Sequence, residues 1–504
     1  MTCRWVFLGW VLACVSGCTS MRALCPMEGG GAWVEVRSPH FIIRTDLDVE
    51  SAEVAAGELE MLRQGLLQAW GGGFDPPGTV DVIILRNREE LSEFTNVRIE
   101  GFSATTSDGP LLVMAGNSYA LSRDAVDKST QAHELTHYLS QFALVRQPRW
   151  LAEGLASYLE TITLKPERRE VVLGALHGPF LDYVQRNGWR SLDELWEWDD
   201  RALMSSAESR QHYASAWLWV HFVISQHSER FGHFQQSLMR GEEPRRAWEK
   251  SFQGVKDLAG KLRDYALGGL SARYPLVTAP LLPVSNDILT HPLEPPEVHA
   301  VRTQLILMTP GPAPAEVRME KAEWEMAQAL KEDPGNITVA LLRIRSLGDP
   351  DQQLHAAQAL VERSPESGLA WNALAQALDA AGDATEAQEA ARLRAVELIP
   401  DHVGAQNGLA RYYARTAQPE KGLAAAQRAL ALAPGNASVL DTYSTILFQL
   451  GRCHEALSTQ QFAVEMLYEG TPERMRQTMN DTLARYEAVC GASAGTPGRP
   501  AGGE

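Results

Sequence analysis

Residues 127–144 read DKSTQAHELTHYLSQFAL, and at their centre stands His133-Glu134-Leu135-Thr136-His137. Asp127, Ser129 or Thr130 can cap the start of a helix here, and Leu135, Leu139 and Phe142 give it an apolar stripe. Residues four apart on a helix lie one turn above each other. His133 and His137 therefore present two imidazoles to one point, which suits a tetrahedral zinc ion. Glu134 lies about 100° round the helix from His133. That offset suits a general base beside a water held by the ion rather than a ligand.

Two histidines leave zinc short of a third protein ligand. Gln147-Pro148-Arg149 reads as a turn, because proline disfavours helix in the residue before it. A second apolar helix then starts near Trp150 and carries Glu153. A helix, a short turn and a returning helix bring Glu153 back toward the histidine pair. Three protein ligands with the fourth position open is the catalytic form of a zinc site; a structural site closes that position.

His133–His137 followed by Trp150-Leu151-Ala152-Glu153-Gly154-Leu155-Ala156 resembles the gluzincin metallopeptidases, in particular the bacterial peptidase MA-like group. The similarity extends more weakly over about residues 32–268, through Ser38-Pro39-His40-Phe41-Ile42-Ile43 and Tyr213-Ala214-Ser215-Ala216-Trp217. The resemblance implies a zincin-like α+β fold with Zn2+ as cofactor and peptide-bond hydrolysis as the reaction. It implies His133, His137 and Glu153 as the metal ligands and Glu134 as the catalytic base.

Around this motif, residues 32–128 read as α+β. Trp33–Arg44 alternates as a strand, Val49–Trp70 has helical spacing, Thr79–Leu85 is a β-branched strand, Arg88–Phe94 is a helix and Leu111–Met114 a further strand. By chain order and by resemblance to zincin folds, Leu111–Gly116 is the expected edge strand, where an extended substrate would add as a neighbour. A strand buried on both faces is the competing reading. Residues 150–268 read as mainly helical, with Ser205–Arg210 as a polar loop near the cleft. Tyr213, Trp217, Val220 and His221 recur at helical positions. Metallopeptidases of this kind hold the oxyanion with a Tyr or His. Tyr213 is thus the catalytic candidate and His221 its reserve, although each also reads as a packed core residue.

The chain has 504 residues, enough for two to four domains, and a formal net charge of −17. Such acidity argues against nucleic acid and anionic bilayers as electrostatic partners. Arg4 and the short apolar run Trp5–Val15 read as a targeting segment. Val15-Ser16-Gly17-Cys18 resembles a bacterial lipobox. That resemblance implies removal of residues 1–17, lipidation of Cys18 and a place in the bacterial cell envelope, at its periplasmic or surface face. Thr19, rather than an aspartate, favours the outer membrane. Residues 18–31 then read as a glycine-rich tether. Of the remaining cysteines, Cys453 and Cys490 lie in the C-terminal helical region, either as a disulfide or as two buried thiols.

Prolines crowd residues 271–295, which excludes a long helix and reads as an extended linker. Beyond it, Pro334, Pro365, Pro400 and Pro434 recur at intervals of 31, 35 and 34 residues. Trp371-Leu374-Ala375-Leu378-Gly382 has counterparts in Leu409-Ala410-Tyr413 and Leu440-Tyr443-Ser444-Leu447-Gly451. This period resembles tetratricopeptide repeats, which implies an all-α solenoid over 296–490 of four to five helix pairs that binds a peptide or a partner protein. The first unit, near 296–332, is degenerate. Residues 491–504 read as a disordered tail.

The expectation is a zincin-like peptidase domain over 32–270 joined to a repeat solenoid. The function expected is a lipid-anchored zinc metallopeptidase whose repeats dock substrate or partner, in contact with the membrane through its lipid alone. The alternative is a non-catalytic envelope scaffold that acts through the repeats.

Overall fold

In the computed structural model, which describes residues 24–73, 75–95, 101–105, 109–116, 129–198, 206–268, 276–285, 287–309, 311–382, 386–467 and 471–493, a six-stranded sheet frames the N-terminal half. The lipobox with Cys18, the helix-capping candidate Asp127 and most of the C-terminal tail lie outside the described residues. The strands are β1 (Val34–Arg37), β2 (Phe41–Thr45), β3 (Val80–Leu85), β4 (Gly101–Thr105), β5 (Pro110–Ala115), β6 (Thr163–Lys165), β7 (Glu170–Leu173), β8 (Val277–Pro280) and β9 (Leu289–Pro292). The large sheet runs β4-β5-β3-β2-β1-β9, and β6-β7-β8 form a small second sheet. β2, β3 and β5 are parallel; β1, β4 and β9 are antiparallel to their neighbours.

The expected single strand over 33–44 is two strands that turn at Ser38-Pro39-His40. Buried Glu60 holds that turn, accepting from Ser38 Oγ, His40 N–H and the His40 ring at 2.7–2.8 Å. Glu60 lies on α1 (Val49–Leu67), whose start Asp48 caps by accepting the Ser51 N–H. α1 is the crossover between parallel β2 and β3. After β3 the chain makes one short turn of helix, α2 (Arg88–Leu91), capped by Asn87.

Alternation along β3 and β5 splits the core in two. Val82, Ile84, Leu112 and Met114 face α1 and the helices that carry His133 and Glu153. Ile83, Leu85, Leu111 and Val113 face the other way, onto Val298, Val301, Leu305 and Ile306. Those four residues belong to α11 (Pro295–Met308), the first helix of the expected solenoid. Central parallel strands are apolar on both faces and need cover on both. The first repeat helix is therefore part of the N-terminal body.

Three further expectations change. β5 lies between β4 and β3, so Leu111–Gly116 is an inner strand and β4 is the edge of the sheet. Backbone pairing decides this: every residue of β4 pairs with β5, as in Phe102 with Val113, and among the described residues β4 has no second neighbour. The expected linker is pinned: β9 pairs with β1, and β8 pairs with β7. Pro280 and Pro292 stand at the strand ends, on edge strands, where a missing N–H costs no ladder bond. The described part of the expected tether is held at one residue. Cys25 is fully buried, and a Cβ on Gly30 would collide with the Leu24 carbonyl.

Seven helices share the core on the α1 side of the sheet: α3 (Ser129–Ala143), α4 (Arg149–Leu159), α5 (Gly178–Asn187), α6 (Leu192–Trp196), α7 (Ser206–Gln226), α8 (Ser228–Met239) and α9 (Pro244–Phe252), with α10 (Leu258–Leu267) beside them. Ser206–Arg210, expected as a loop, is the exposed first turn of α7. A charged first turn exposed to water needs no apolar face, which is why its sequence reads as a loop. No helix of the described residues is long and apolar enough to cross a membrane.

The C-terminal half is a helical repeat array. α11 pairs with α12 (Ala315–Glu332), α13 (Ile337–Ser346) with α14 (Pro350–Arg363), and α15 (Gly368–Ala380) with α16 (Glu386–Leu398). α17 (Val403–Arg415) pairs with α18 (Pro419–Leu432), α19 (Ala437–Gln449) with α20 (Cys453–Glu465), and α21 (Glu473–Ser493) closes the stack. Small residues allow the close approaches: a Cβ on Gly422 would lie 3.0 Å from Ile446 Cδ1 and Tyr413 Cβ. A disulfide joins Cys453 to Cys490, with Cα atoms 5.5 Å apart.

The array also touches the loop between α3 and α4. Val145, in that loop, packs against the cluster of Leu440, Phe462 and Ala463. Its neighbour Arg146 donates from Nε to Glu465 at 2.8 Å.

Candidate metal centre

α3 buries Ala132, Leu135, Thr136, Tyr138, Leu139 and Ala143, so the opposite face carries His133, Glu134 and His137 toward the cleft. The helix ends where Leu144 N–H reaches Ser140 O at 2.6 Å, and Gln147 then donates to Ser140 Oγ. Pro148 takes extended backbone angles (φ −72°, ψ 154°) directly before α4, so the chain reverses in a few residues.

α4 crosses α7 at Gly154. A Cβ there would lie 2.6 Å from both the Ala216 carbonyl oxygen and Val220 Cγ2. The glycine that follows Glu153 thus sets how deeply α4 sits, and with it the reach of Glu153. Trp150, Leu151, Leu155 and Leu159 bury the rest of that helix.

This packing brings His133, His137 and Glu153 together. One ligand atom from each lies within 4.8 Å of the others, the one such group of three or more found among the described residues. Glu153 Oε2 is 3.4 Å from His133 Nε2 and 3.4 Å from His137 Nε2. The two imidazoles meet edge to face, with centroids 4.8 Å apart. Glu153 Oε2 is buried and makes no hydrogen bond. A tetrahedral ion with bonds of about 2.0–2.1 Å holds its ligand atoms roughly 3.4 Å apart. The spacing and the orphaned carboxylate oxygen both fit a zinc ion.

The electrostatics agree with that fit. Burial works against the charge on Glu153, but His137 and His133 hold its carboxyl well below the usual range. Burial also works against an imidazolium at His133, yet Glu153 and Glu160, with the charge of Glu134, hold it up to about 10. The charges around Glu153 thus favour positive charge beside its carboxylate. Glu134 stands outside the three-ligand group, and its charge acts on both His133 and Tyr213.

Tyr213 reaches the site from α7. Its OH lies 3.4 Å from Glu153 Oε1, and its ring centroid is 6.4 Å from that of His133. Burial and the neighbouring Glu153 carboxylate push its phenol up, so it is a hydrogen-bond donor at any ordinary pH. His221 is elsewhere. Its Nδ1 is 2.6 Å from Tyr265 OH in the aromatic core, and burial lowers its pKa to about 4. Eight residues along α7 from Tyr213, it lies about two turns away, roughly 12 Å along the helix, and has no part in the centre.

Three residues were not singled out by the sequence reading. Glu160 accepts from His133 Nδ1 at 2.9 Å and meets His177 Nε2 at 2.5 Å. Arg149 lies 3.9 Å from Glu153 Oε1 and covers the Trp198 ring at 4.6 Å. Glu160 had a readable signal, because it follows Glu153 by two helical turns on the same face. His177 had none, since its partner lies across a small sheet.

The centre opens on a cavity of about 2650 Å3. His137, Glu153 and Arg149 border one side, Phe102 and Ser103 of edge strand β4 border another, and repeat residues such as Val403 and Phe462 stand opposite.

The comparisons reach the centre at one point. A family described as a protein of unknown function (DUF1570) matches residues 125–242. That span contains every residue of the metal group and its neighbours Glu160, His177 and Tyr213. No curated protein matches the chain. Among solved structures, a thermophilic TPR protein of Thermus thermophilus is 19% identical over 39% of this chain and 98% of its own, with a TM-score of 0.30. The human IFIT1 dimer is 15% identical over 74% of this chain and 71% of its own, at a TM-score of 0.32. A tetratricopeptide repeat protein from Parabacteroides merdae is 12% identical over 51% and 98%, at 0.25. None of these likenesses bears on the chemistry of the centre.

Proposed function

We propose that the chain is a zinc-dependent metallopeptidase of gluzincin type, anchored in the bacterial cell envelope through a lipid on Cys18. The observation that carries this reading is the convergence of three donors within 4.8 Å of one another, with Glu153 Oε2, which has no hydrogen bond, 3.4 Å from both His133 Nε2 and His137 Nε2. These three residues would hold the ion. A bound zinc ion supplies Lewis acidity and makes water acidic enough to lose a proton near neutral pH.

The other groups divide the work. Glu134 takes a proton from the attacking water and returns it to the leaving amine. Tyr213 keeps its phenolic proton and offers it as a donor, to Glu153 Oε1 at rest and to the developing oxyanion during attack. Among the described residues β4 is the edge strand of the sheet beside this cleft, and an extended substrate backbone would add along its outer side. Substrates on this reading are peptide segments of envelope or extracellular proteins.

The repeat array favours a second reading, a scaffold that binds a partner protein and needs no chemistry. Arrays of helix pairs commonly serve that purpose. One variant separates the two. Glu134→Gln should keep zinc and lose cleavage of an unfolded protein substrate by about 10²–10⁴-fold. Full cleavage by that variant would contradict the mechanism, and full biological function without cleavage would favour the scaffold.

A further inference from the structure

We infer that Glu160 and His177 are positioning residues that set the tautomer and the aim of His133 as a metal ligand. The inference rests on the metal-centre reading above.

It begins at the N-terminus of α5. The Phe180 backbone N–H donates to His177 Nδ1 at 3.0 Å, so that nitrogen accepts. The proton of the ring is then on Nε2, which lies 2.5 Å from Glu160 Oε1 and donates to it. The His177 ring cannot turn away, because it stacks on Phe180 with centroids 3.9 Å apart. Glu160 is the C-cap residue of α4 and has its second oxygen, Oε2, 2.9 Å from His133 Nδ1. An ionised carboxylate only accepts, so His133 Nδ1 is the donor. In the neutral ring, the only form that can bind an ion, the proton kept is therefore the one on Nδ1 and the lone pair is on Nε2, the atom facing Glu153 Oε2 at 3.4 Å. A backbone amide on a third helix thus fixes, through two side chains, which nitrogen of His133 points at the ion.

Among the described residues, no comparable carboxylate supports the other imidazole. Among the described residues, the contact found for a His137 ring nitrogen is with Glu153 itself. The two histidine ligands are therefore unequal. His133 is held in advance, and His137 is oriented by the ion and by its own helix. Partners of this kind raise ligand basicity and hold ring orientation, and their loss commonly weakens metal binding by about 10–100-fold.

The test is zinc affinity of the full chain, measured by competition with a chromophoric chelator, alongside the visible spectrum of the Co2+-loaded protein. Glu160→Ala should weaken zinc binding by about 10–100-fold and alter the Co2+ bands, with far-ultraviolet circular dichroism unchanged. Glu160→Gln has one acceptor oxygen for two donors and should fall between Glu160→Ala and the wild type. It is isosteric, so it carries the test if Glu160→Ala fails to fold. His177→Ala should weaken binding by less than Glu160→Ala. Wild-type affinity and an unchanged Co2+ spectrum in Glu160→Gln and His177→Ala, even with lower thermal stability, would overturn the inference and make the pair merely structural. A wild-type protein that takes up no zinc would instead overturn the metal-centre reading itself.

Discussion

Two glutamates, one in each half of the chain, sit beside histidines and end differently. Glu325, in the first repeat pair, has both oxygens in use: His299 Nδ1 meets Oε2 at 2.6 Å and Arg302 Nε donates to Oε1 at 2.8 Å. Glu153, at the metal centre, has a loose neighbour on Oε1, with Tyr213 OH at 3.4 Å, and an Oε2 with no hydrogen bond at all. Both carboxyls are held below their usual range by their neighbours against the cost of burial. Glu325 is a closed pair that joins two helices. Glu153 is an open one, and a buried acceptor left open costs stability unless something fills it. The difference separates a structural ion pair from the carboxylate on which the metal proposal rests.

The sharpest way to break this comparison is to remove each carboxylate in turn. Glu325→Ala leaves His299 and Arg302 without their anion, each no more than 2% exposed, and should destabilise the fold by about 3–5 kcal/mol while zinc content stays at the wild-type level. Chemical unfolding followed by metal analysis reads both quantities. The pair also has a pH sign. Burial pushes the His299 imidazolium down, but Cys25 and Glu325 hold it up to about 10, above its ordinary 6.5. Its contribution is therefore full below about pH 6.5 and fades as pH rises through about 10, so the deficit of Glu325→Ala should narrow over that range.

A smaller effect should come from the disulfide. Cys453 and Cys490 are 37 residues apart, so reduction should cost about 2–4 kcal/mol, confined to the last repeat pair and α21. Zinc binding should be unaffected. A loss of zinc on reduction would show that the array supports the metal helices through Arg146 and Val145 more strongly than the comparison allows.

The parts of this molecule legible in the sequence are those set by local spacing. The histidines one turn apart on α3, the proline that reverses the chain before α4, and the proline period of the repeats each need only a few neighbouring residues. Pairing across distance was not legible. β4 reads as nondescript because Gly101-Phe102-Ser103-Ala104-Thr105 has little apolar alternation, and its edge position depends on what β5 does elsewhere. Prolines exclude helix in 271–295 but say nothing of the strands that β1 and β7 would accept there. α11 has the spacing of a repeat helix whichever surface it covers, so its burial under the sheet was invisible. Glu160 was readable from its position two turns beyond Glu153, whereas Tyr213 was separable from His221 only once α7 had a direction.

The most direct test of the central claim is the zinc content of purified, metal-replete protein beside His137→Ala and Glu153→Ala. One zinc per chain in the wild type, lost in both variants while helical content is retained, is the result expected from the three converging donors. A wild-type chain without zinc, or variants that retain a full equivalent, would contradict it.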